Sequence, residues 1–546
     1  MLGKIFNKIL HEDEDATDKY AYHNKNKILE KNGTFWQKYG DLVIALGLFF
    51  IALVPRLVFL FKISDPQNAG DGWYGDTYHH WQIAYLSQEI GFHENFLRLW
   101  DLKGMEYFWG PLHPVLMIIM FSITGSVSIV NSRLLSILFG SAVISLLYLI
   151  VSKFWNRKTA FATAIFAITL PVAILNDSSG MLEPIGFFLL FLGILLLTKK
   201  PLLSGCVWAL AAMARAEAWM FGGLLFLLSS RVLKKPGQMV ILFIGWVVPM
   251  LLYMKYLLDN TTNFIYPIWW NYLANARGVW ATSIGYTDYQ LAVKPYLVAW
   301  FLVSLASIIV VWFRYKARGS LFILFGLANW AFIAGFMGLT HYLTGFQQWF
   351  WVIRFFEFPY VFGGFLLALV FLYIIPKYVP YLSKIHLVWV LWMPILVVII
   401  GTQYIFWGPI LEKYNSTRVS WEITKTWAHE FGREYQGGKV LIPEGEPSFT
   451  YAMVYFEGIK GKNILGQMFD PFYYMVDDPF ASWGDNRRVM LGWLRDEEVK
   501  LIVVDTAKEK YSQLFERESQ YFEFVKVIPD SKYVIYRVYP ERIEIL

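Results

Sequence analysis

Apolar runs separated by short polar joints dominate the first 410 residues of the chain. They fall near residues 41–62, 128–152, 159–176, 182–198, 201–217, 218–233, 239–258, 293–313, 319–339, 358–376 and 386–408. Crossing a bilayer takes about 17 to 25 mainly apolar residues, so the pattern predicts about eleven transmembrane helices, several near the short limit. One further run, Val115 to Ile123, is bounded by Pro111, Pro114 and Gly125. It is too short to span and reads as a re-entrant or interfacial piece of a first outer loop at 63–127. Beyond Leu411 the pattern changes. Strand-like runs (Lys439 to Ile442, Lys500 to Val504, Tyr533 to Val538) alternate with helical stretches (Val419 to Glu434, Asn486 to Glu497, Lys508 to Phe522), as in a small α/β domain over 411–546. No glycine loop of the phosphate-binding type precedes its helices, and no internal repeat is evident.

Charge fixes the sidedness. With the N-terminus inside, the inner loops collect Lys153, Arg157 and Lys158; Lys199 and Lys200; Arg231, Lys234 and Lys235; Arg314, Lys316 and Arg318; then Lys377 and Lys384. Counting 115–123 as a span would put all of these outside, against the positive-inside rule. The eleven-helix reading therefore stands, with residues 1–40 a cytoplasmic tail, 41–410 the membrane domain and 411–546 extracytoplasmic. Composition agrees: 56% hydrophobic, 19% aromatic and 16% charged residues suit a polytopic α-helical protein of the cell membrane, not a soluble one. A net charge of +6 is small for 546 residues, and no nucleic-acid partner is expected. The single cysteine, Cys206, lies in an apolar run, so disulfides contribute nothing.

The stretch Gly70 to Leu86, GDGWYGDTYHHWQIAYL, follows the first apolar run directly. It clusters carboxylates, histidines and aromatic rings where membrane meets water, an expensive place for ionisable groups. A helix starting at Asp76 sets Asp76, His79 and His80 on one face, with Ile83, Leu86 and Ile90 as an apolar stripe beside it, and would lie in the interface. The plainer reading makes Asp76 a helix cap. Sidedness then places Asp71, His113, Arg56, Arg133, Asp177, Glu183, Arg215, Glu217, His341, Arg354 and Glu357 in the same outward-facing layer. For any one of these, a loop-closing ion pair such as Arg354 with Glu357 is an equal alternative. Together they point to a cavity. A carboxylate can act as general base or hold a divalent cation, and arginine binds phosphate bidentately. Transfer of a group from a phosphate-linked donor needs both. Trp73, Tyr74, Trp81, Trp109, Trp269, Trp270, Trp349 and Trp351 offer flat faces to a sugar or, more plainly, form the interfacial aromatic belt. Asp76, Glu183 and Glu357 are hard ligands suited to magnesium or manganese. Adjacent His79 and His80 point apart on a helix, so they make a poor zinc pair.

Four short motifs resemble the GT-C superfamily of integral-membrane glycosyltransferases, which includes protein O-mannosyltransferases, the bacterial aminoarabinose transferase and the catalytic subunit of oligosaccharyltransferase. Asp76-Thr77-Tyr78 opens a first-loop helix where many relatives show Asp-Glu or Asp-Pro. Gly110-Pro111-Leu112-His113-Pro114 closes that loop, similar to Lys-Pro-Pro-Leu or His-Pro-Pro-Leu. Asn131-Ser132-Arg133-Leu134 opens the next span, and Leu182-Glu183-Pro184 stands where Leu-Asp-x-Pro is usual. The resemblance implies a donor sugar on polyprenyl or dolichyl phosphate and a protein, lipid or glycan acceptor, joined at the outer face. It assigns catalysis to Asp76 and secondarily Glu183, with a metal on the same pair if one is used. Arg133, Arg215 and Arg354 become candidates for the donor phosphate; His79, His80, His113, Trp73 and Glu357 for acceptor or sugar. Thr77 departs from the mannosyltransferase acid pair. Trp483-Gly484-Asp485 is only faintly similar to the Trp-Trp-Asp peptide motif, so asparagine-sequon glycosylation is not implied. A lipid or glycan flippase is the alternative; it predicts mid-bilayer charges in repeat-related broken helices, whereas these charges crowd one interface. A receptor-like binding protein would need no acidic loop.

Overall fold

The computed structural model describes residues 35–69, 75–90, 105–276, 288–314, 319–344, 357–378, 397, 401, 407–442, 447–466, 483–505, 515 and 518–544. The chain divides into two compact units, each discontinuous in sequence. The first comprises Met1–Ile63, Tyr107–Leu112 and Arg133–Ile410; the second comprises Ser64–Glu106, His113–Ser132 and Leu411–Leu546.

In chain order the helices are α1 (Phe35–Val58), which runs into a π-turn, α2 (Asp76–Ile90), α3 (Met105–Phe108), α4 (Leu112–Thr124), α5 (Val130–Phe154), α6 (Arg157–Thr169) and α7 (Pro171–Ser178). Then come α8 (Glu183–Leu196), α9 (Pro201–Ala214), α10 (Glu217–Ser229), α11 (Pro236–Thr261), α12 (Tyr266–Ala276), α13 (Asp288–Arg314), α14 (Ser320–Thr344), α15 (Glu357–Leu369) and α16 (Ile375–Tyr378). Four continuous helical segments among the described residues are long and apolar enough to cross a membrane: Tyr39–Ile63, Val130–Phe154, Pro236–Thr261 and Glu357–Lys377. The pair α6 and α7, bent by 61° at Leu170, counts as a fifth if it is one broken span. The chain is thus a polytopic helical membrane protein. Three expected spans form helices of only 14, 14 and 13 residues, α8, α9 and α10. At 1.5 Å per residue each measures about 20 Å, short of a hydrocarbon core of about 30 Å. Pro184, Pro201 and the Arg215-Ala216-Glu217 joint set their ends, because proline is favoured in a helix's first turn and the charged joint interrupts the apolar run. The expected run at 386–408 lies mostly outside the described residues.

The first unit is held by close helix contact and by phenylalanine. A Cβ on Gly205 of α9 would meet the Leu242 carbonyl oxygen at 2.4 Å, and one on Gly245 of α11 would meet that of Leu202 at 2.2 Å. Glycine at both positions lets the two backbones touch, the usual way apolar helices gain contact where water gives no driving force. Phe191 of α8, Phe325 of α14 and Phe358 of α15 pack with centroids 5.4 to 5.5 Å apart where each meets Phe358.

The second unit contains α17 (Trp407–Gly432), α18 (Pro447–Tyr455), α19 (Trp483–Asp496) and a five-stranded sheet of order β2-β1-β3-β5-β4. The strands are β1 (Lys439–Leu441), β2 (Ile464–Leu465), β3 (Val499–Asp505), β4 (Phe522–Val527) and β5 (Tyr533–Val538). β1 pairs in parallel with β2 and β3, and β5 runs antiparallel to β3 and β4. Leu441, Leu465, Leu491, Leu494, Val499, Ile502 and Val538 form the core beneath it. The expected helix through Phe522 is corrected at its end: 518–521 turn, and Phe522 opens β4. Phe522 is buried and Phe524 exposed although i and i+2 share one face of a strand, and the pairing with β5 shifts register just after Phe524.

Candidate functional site

In the first unit, short helices place charges at their ends. Glu183 and Glu217 open α8 and α10, where the positive end of a helix dipole favours carboxylates. Arg215 caps the C-terminal end of α9, where the opposite sign holds. The three side chains meet. Arg215 Nη1 lies 2.9 Å from Glu183 Oε1, and its Nε and Nη2 donate to Glu217 at 3.0 and 2.6 Å. Arg215 is 13% exposed and Glu183 4%. This triad forms the polar end of an open pocket whose body is Phe187, Leu190, Phe221, Phe332 and Ile333. Asn329 also lines it, and its buried Oδ1 has no hydrogen-bond partner among the described residues.

Beside the pocket helices the charges are paired through α7. Arg56 Nε donates to Asp177 Oδ2 at 2.6 Å, with both side chains at most 2% exposed. Asn176 Nδ2 donates to Glu357 Oε2 at 2.8 Å. Arg133 is fully buried, and its Nε donates to the Ser178 carbonyl at 2.5 Å. The outward layer expected in the sequence is therefore, within this unit, a set of ion pairs and backbone bonds gathered on the turn from 176 to 183. Sequence reasoning named Asp177, Glu183, Arg215, Glu217 and Glu357. It missed Asn176 and Asn329, for which no spacing or charge gives a signal.

The second unit holds Asp76 and the histidines. α2 begins at Asp76, but Gly75 holds the cap position, its carbonyl accepting the backbone N–H groups of Tyr78 and His79. Asp76 and His79 are half-buried, and His79 Nδ1 lies 3.2 Å from Gln82 Oε1. His80 and His113 are buried, with rings 5.2 Å apart. Neither ring stands at a surface, and among the described residues neither His113 nitrogen has a hydrogen-bond partner. α2 is covered by protein along its length: every residue from Thr77 to Ser87 except His79 is buried. Tyr78 packs on Trp421 and Tyr451 at 5.7 and 5.6 Å, and Trp81 stacks on Tyr85 at 5.0 Å and meets Tyr451 edge-on at 4.9 Å. Trp81 is thus neither belt nor sugar platform; its Nε1 donates to the Val127 carbonyl at 2.6 Å. Trp73, Arg354, Asp71, Tyr74, Trp349 and Trp351 lie outside the described residues.

Among the described residues no group of three or more His, Cys, Asp or Glu side chains is arranged to hold a metal ion. Glu183 in particular already faces a guanidinium.

No family model and no curated protein matches the chain. Among solved structures it is similar to the archaeal oligosaccharyltransferase AglB from Archaeoglobus fulgidus in complex with an inhibitory peptide and a dolichol-phosphate, with 13% identity and a TM-score of 0.49 over 94% of this chain and 75% of that one. It is also similar to ArnT from Cupriavidus metallidurans bound to undecaprenyl phosphate, with 11% identity and a TM-score of 0.49 over 91% and 97% of the two chains. An Archaeoglobus fulgidus oligosaccharyltransferase complex with Zn and sulfate gives 13% identity and 0.45 over 88% and 72%. At such identities and scores these structures assign neither activity nor residue roles to this chain.

Proposed function

We propose that the chain is a membrane glycosyltransferase that moves a sugar from a polyprenyl-phosphate donor to a protein, lipid or glycan acceptor at the outer face of the cell membrane. The observation that carries this reading is the pocket of the first unit, charged at the Glu183, Arg215 and Glu217 end and phenylalanine-lined along its body. An amphiphile with a polar head and a hydrocarbon chain matches that division, and the order of the four outer-loop motifs supports the same class. In the reaction, the acceptor oxygen or nitrogen attacks the anomeric carbon, and the carbon–oxygen bond to the phosphate breaks. Asp76 takes the acceptor proton, and the polyprenyl phosphate departs with its charge balanced by arginine. Arg215 is shared between two carboxylates. Its turn toward a phosphate requires one of them, Glu183 or Glu217, to let go. Arg133 and Arg354 are the further candidates for that charge, and Glu183 is the second carboxylate.

The test incubates the full chain in lipid nanodiscs with a panel of polyprenyl-phosphate sugars and compares it with Asp76→Asn. Transfer by the unaltered protein is expected, with turnover reduced about 10²- to 10⁴-fold in the variant, the usual contribution of a general base. Equal turnover removes Asp76 as the base. Turnover of no donor, together with lipid translocation across the bilayer, overturns the reading in favour of a flippase.

A further inference from the structure

The second unit is built around one tyrosine hydroxyl far along the chain from the residues it holds. Tyr451, on α18, donates its hydroxyl to Gln67 Oε1 and accepts the Ile129 backbone N–H at 3.1 Å. Gln67 Oε1 also accepts from Ser128 Oγ at 3.1 Å. The Gln67 backbone carbonyl in turn accepts the Tyr78 hydroxyl at 3.2 Å, and that hydroxyl accepts the Ala69 N–H at 3.3 Å. Tyr78 stands two residues after Asp76, in the first turn of α2. The Tyr451 ring meanwhile fills the space between Tyr78, Trp81 and Trp421, with centroids 4.9 to 5.8 Å away. Farther along α2, the Tyr85 hydroxyl accepts the Gly461 N–H at 3.3 Å. Burial pushes the Tyr451 hydroxyl above the usual tyrosine range, so it stays protonated and able to donate.

We propose that Tyr451 is a positioning residue: the C-terminal part of the chain fixes the start of α2, and with it Asp76, through the relay Tyr451, Gln67, Tyr78. This rests on the proposed role of Asp76 as base. A general base works only within hydrogen-bond reach of its proton, and an ångström of misplacement costs rate without weakening the hold on substrate. The relay supplies that constraint at the end of α2 that carries the carboxylate. The C-terminal domain is therefore part of the catalytic scaffold rather than a detachable acceptor module.

The test is Tyr451→Phe in the full chain, which keeps the ring and removes the hydroxyl. Turnover should fall about ten- to a hundredfold with donor KM unchanged. Asp76→Asn/Tyr451→Phe should be no slower than Asp76→Asn alone, because a misplaced base is already lost. Amide hydrogen exchange should rise in residues 76–82 and stay unchanged in the sheet. Wild-type turnover and wild-type exchange in Tyr451→Phe overturn the proposal. So does a uniform rise in exchange with kcat and KM changing together, which marks a merely structural residue. If Asp76→Asn turns over like the unaltered protein, the assignment of the base fails. The exchange pattern of Tyr451→Phe then decides the positioning claim by itself.

Discussion

Replacing Gly140 by alanine should unlock a buried ion pair that Gly140 itself does not make. A Cβ on Gly140 would sit 2.1 Å from the Asp177 carboxyl carbon and 2.3 Å from each of its oxygens, far inside contact distance. The carboxylate must move, and it is bonded to Arg56 at 2.6 Å with both groups out of water. Breaking such a pair on one side costs about 3 to 5 kcal/mol, since a charge is left buried and unmatched. Alanine in mid-helix is favoured over glycine by about 1 kcal/mol, so the steric effect wins and Gly140→Ala is net destabilising by about 2 to 4 kcal/mol. The sign reverses once both charges are gone. In an Arg56→Met/Asp177→Ala background the space is open, and Gly140→Ala should be neutral or stabilising by up to about 1 kcal/mol. Unfolding in mixed detergent micelles, followed by tryptophan fluorescence, reads all four proteins. Equal cost of Gly140→Ala in the two backgrounds, or no cost in the unaltered protein, refutes the reasoning.

Two further expectations concern the second unit. Its Arg487 hydrogen bonds hold the Glu518 carboxyl below the usual carboxylate range, and Gln520 adds a third donor at 2.9 Å. A depressed carboxyl pKa stabilises above the unfolded value and stops doing so as pH falls through the folded one. Glu518→Gln should therefore cost about 1 to 2 kcal/mol at pH 7, with the gap closing below about pH 4, and a pH-independent gap would contradict it. Burial pushes the His113 imidazole down to about 3. The unfolded chain then takes up the proton first, so stability should be flat above about pH 6.5 and fall by up to about 1.4 kcal/mol per unit between there and pH 3. Denaturation midpoints of the unaltered protein and His113→Leu across that window should diverge in slope; parallel slopes would refute it.

Local signals in the sequence read well where a residue's neighbours along the chain decide its structure. The start of α2 at Asp76, the short α4 between Pro111 and Gly125, and strands β1, β3 and β5 all follow from helical spacing, run lengths and alternation. The meeting of Glu183 with Arg215 followed from sidedness, because both lie at joints expected on one face. What could not be read was set by partners hundreds of residues away. The Trp81 ring looks like part of an interfacial belt until Tyr451 is placed against it. β2, only two residues long, carries no alternation, and β4 was hidden by a charge-rich run that reads as helix. The placement of Asp177 against Gly140 likewise depends on one absent side chain, which periodicity does not record.

The pairing of Gln67 with Tyr451 joins residues 384 positions apart, and that of Tyr85 with Gly461 joins residues 376 apart. During synthesis the segment around α2 leaves the ribosome early, well before Tyr451 and Gly461, which pack against it, follow. Tyr78, Trp81 and Tyr85 meanwhile wait uncovered, the state in which aggregation and chaperone capture compete with folding. Closure of this unit should come late and slowly, since so long a loop must be drawn in before its contacts repay the lost entropy. Truncation near residue 410 would then leave the membrane helices inserted and the Asp76 helix without a fold.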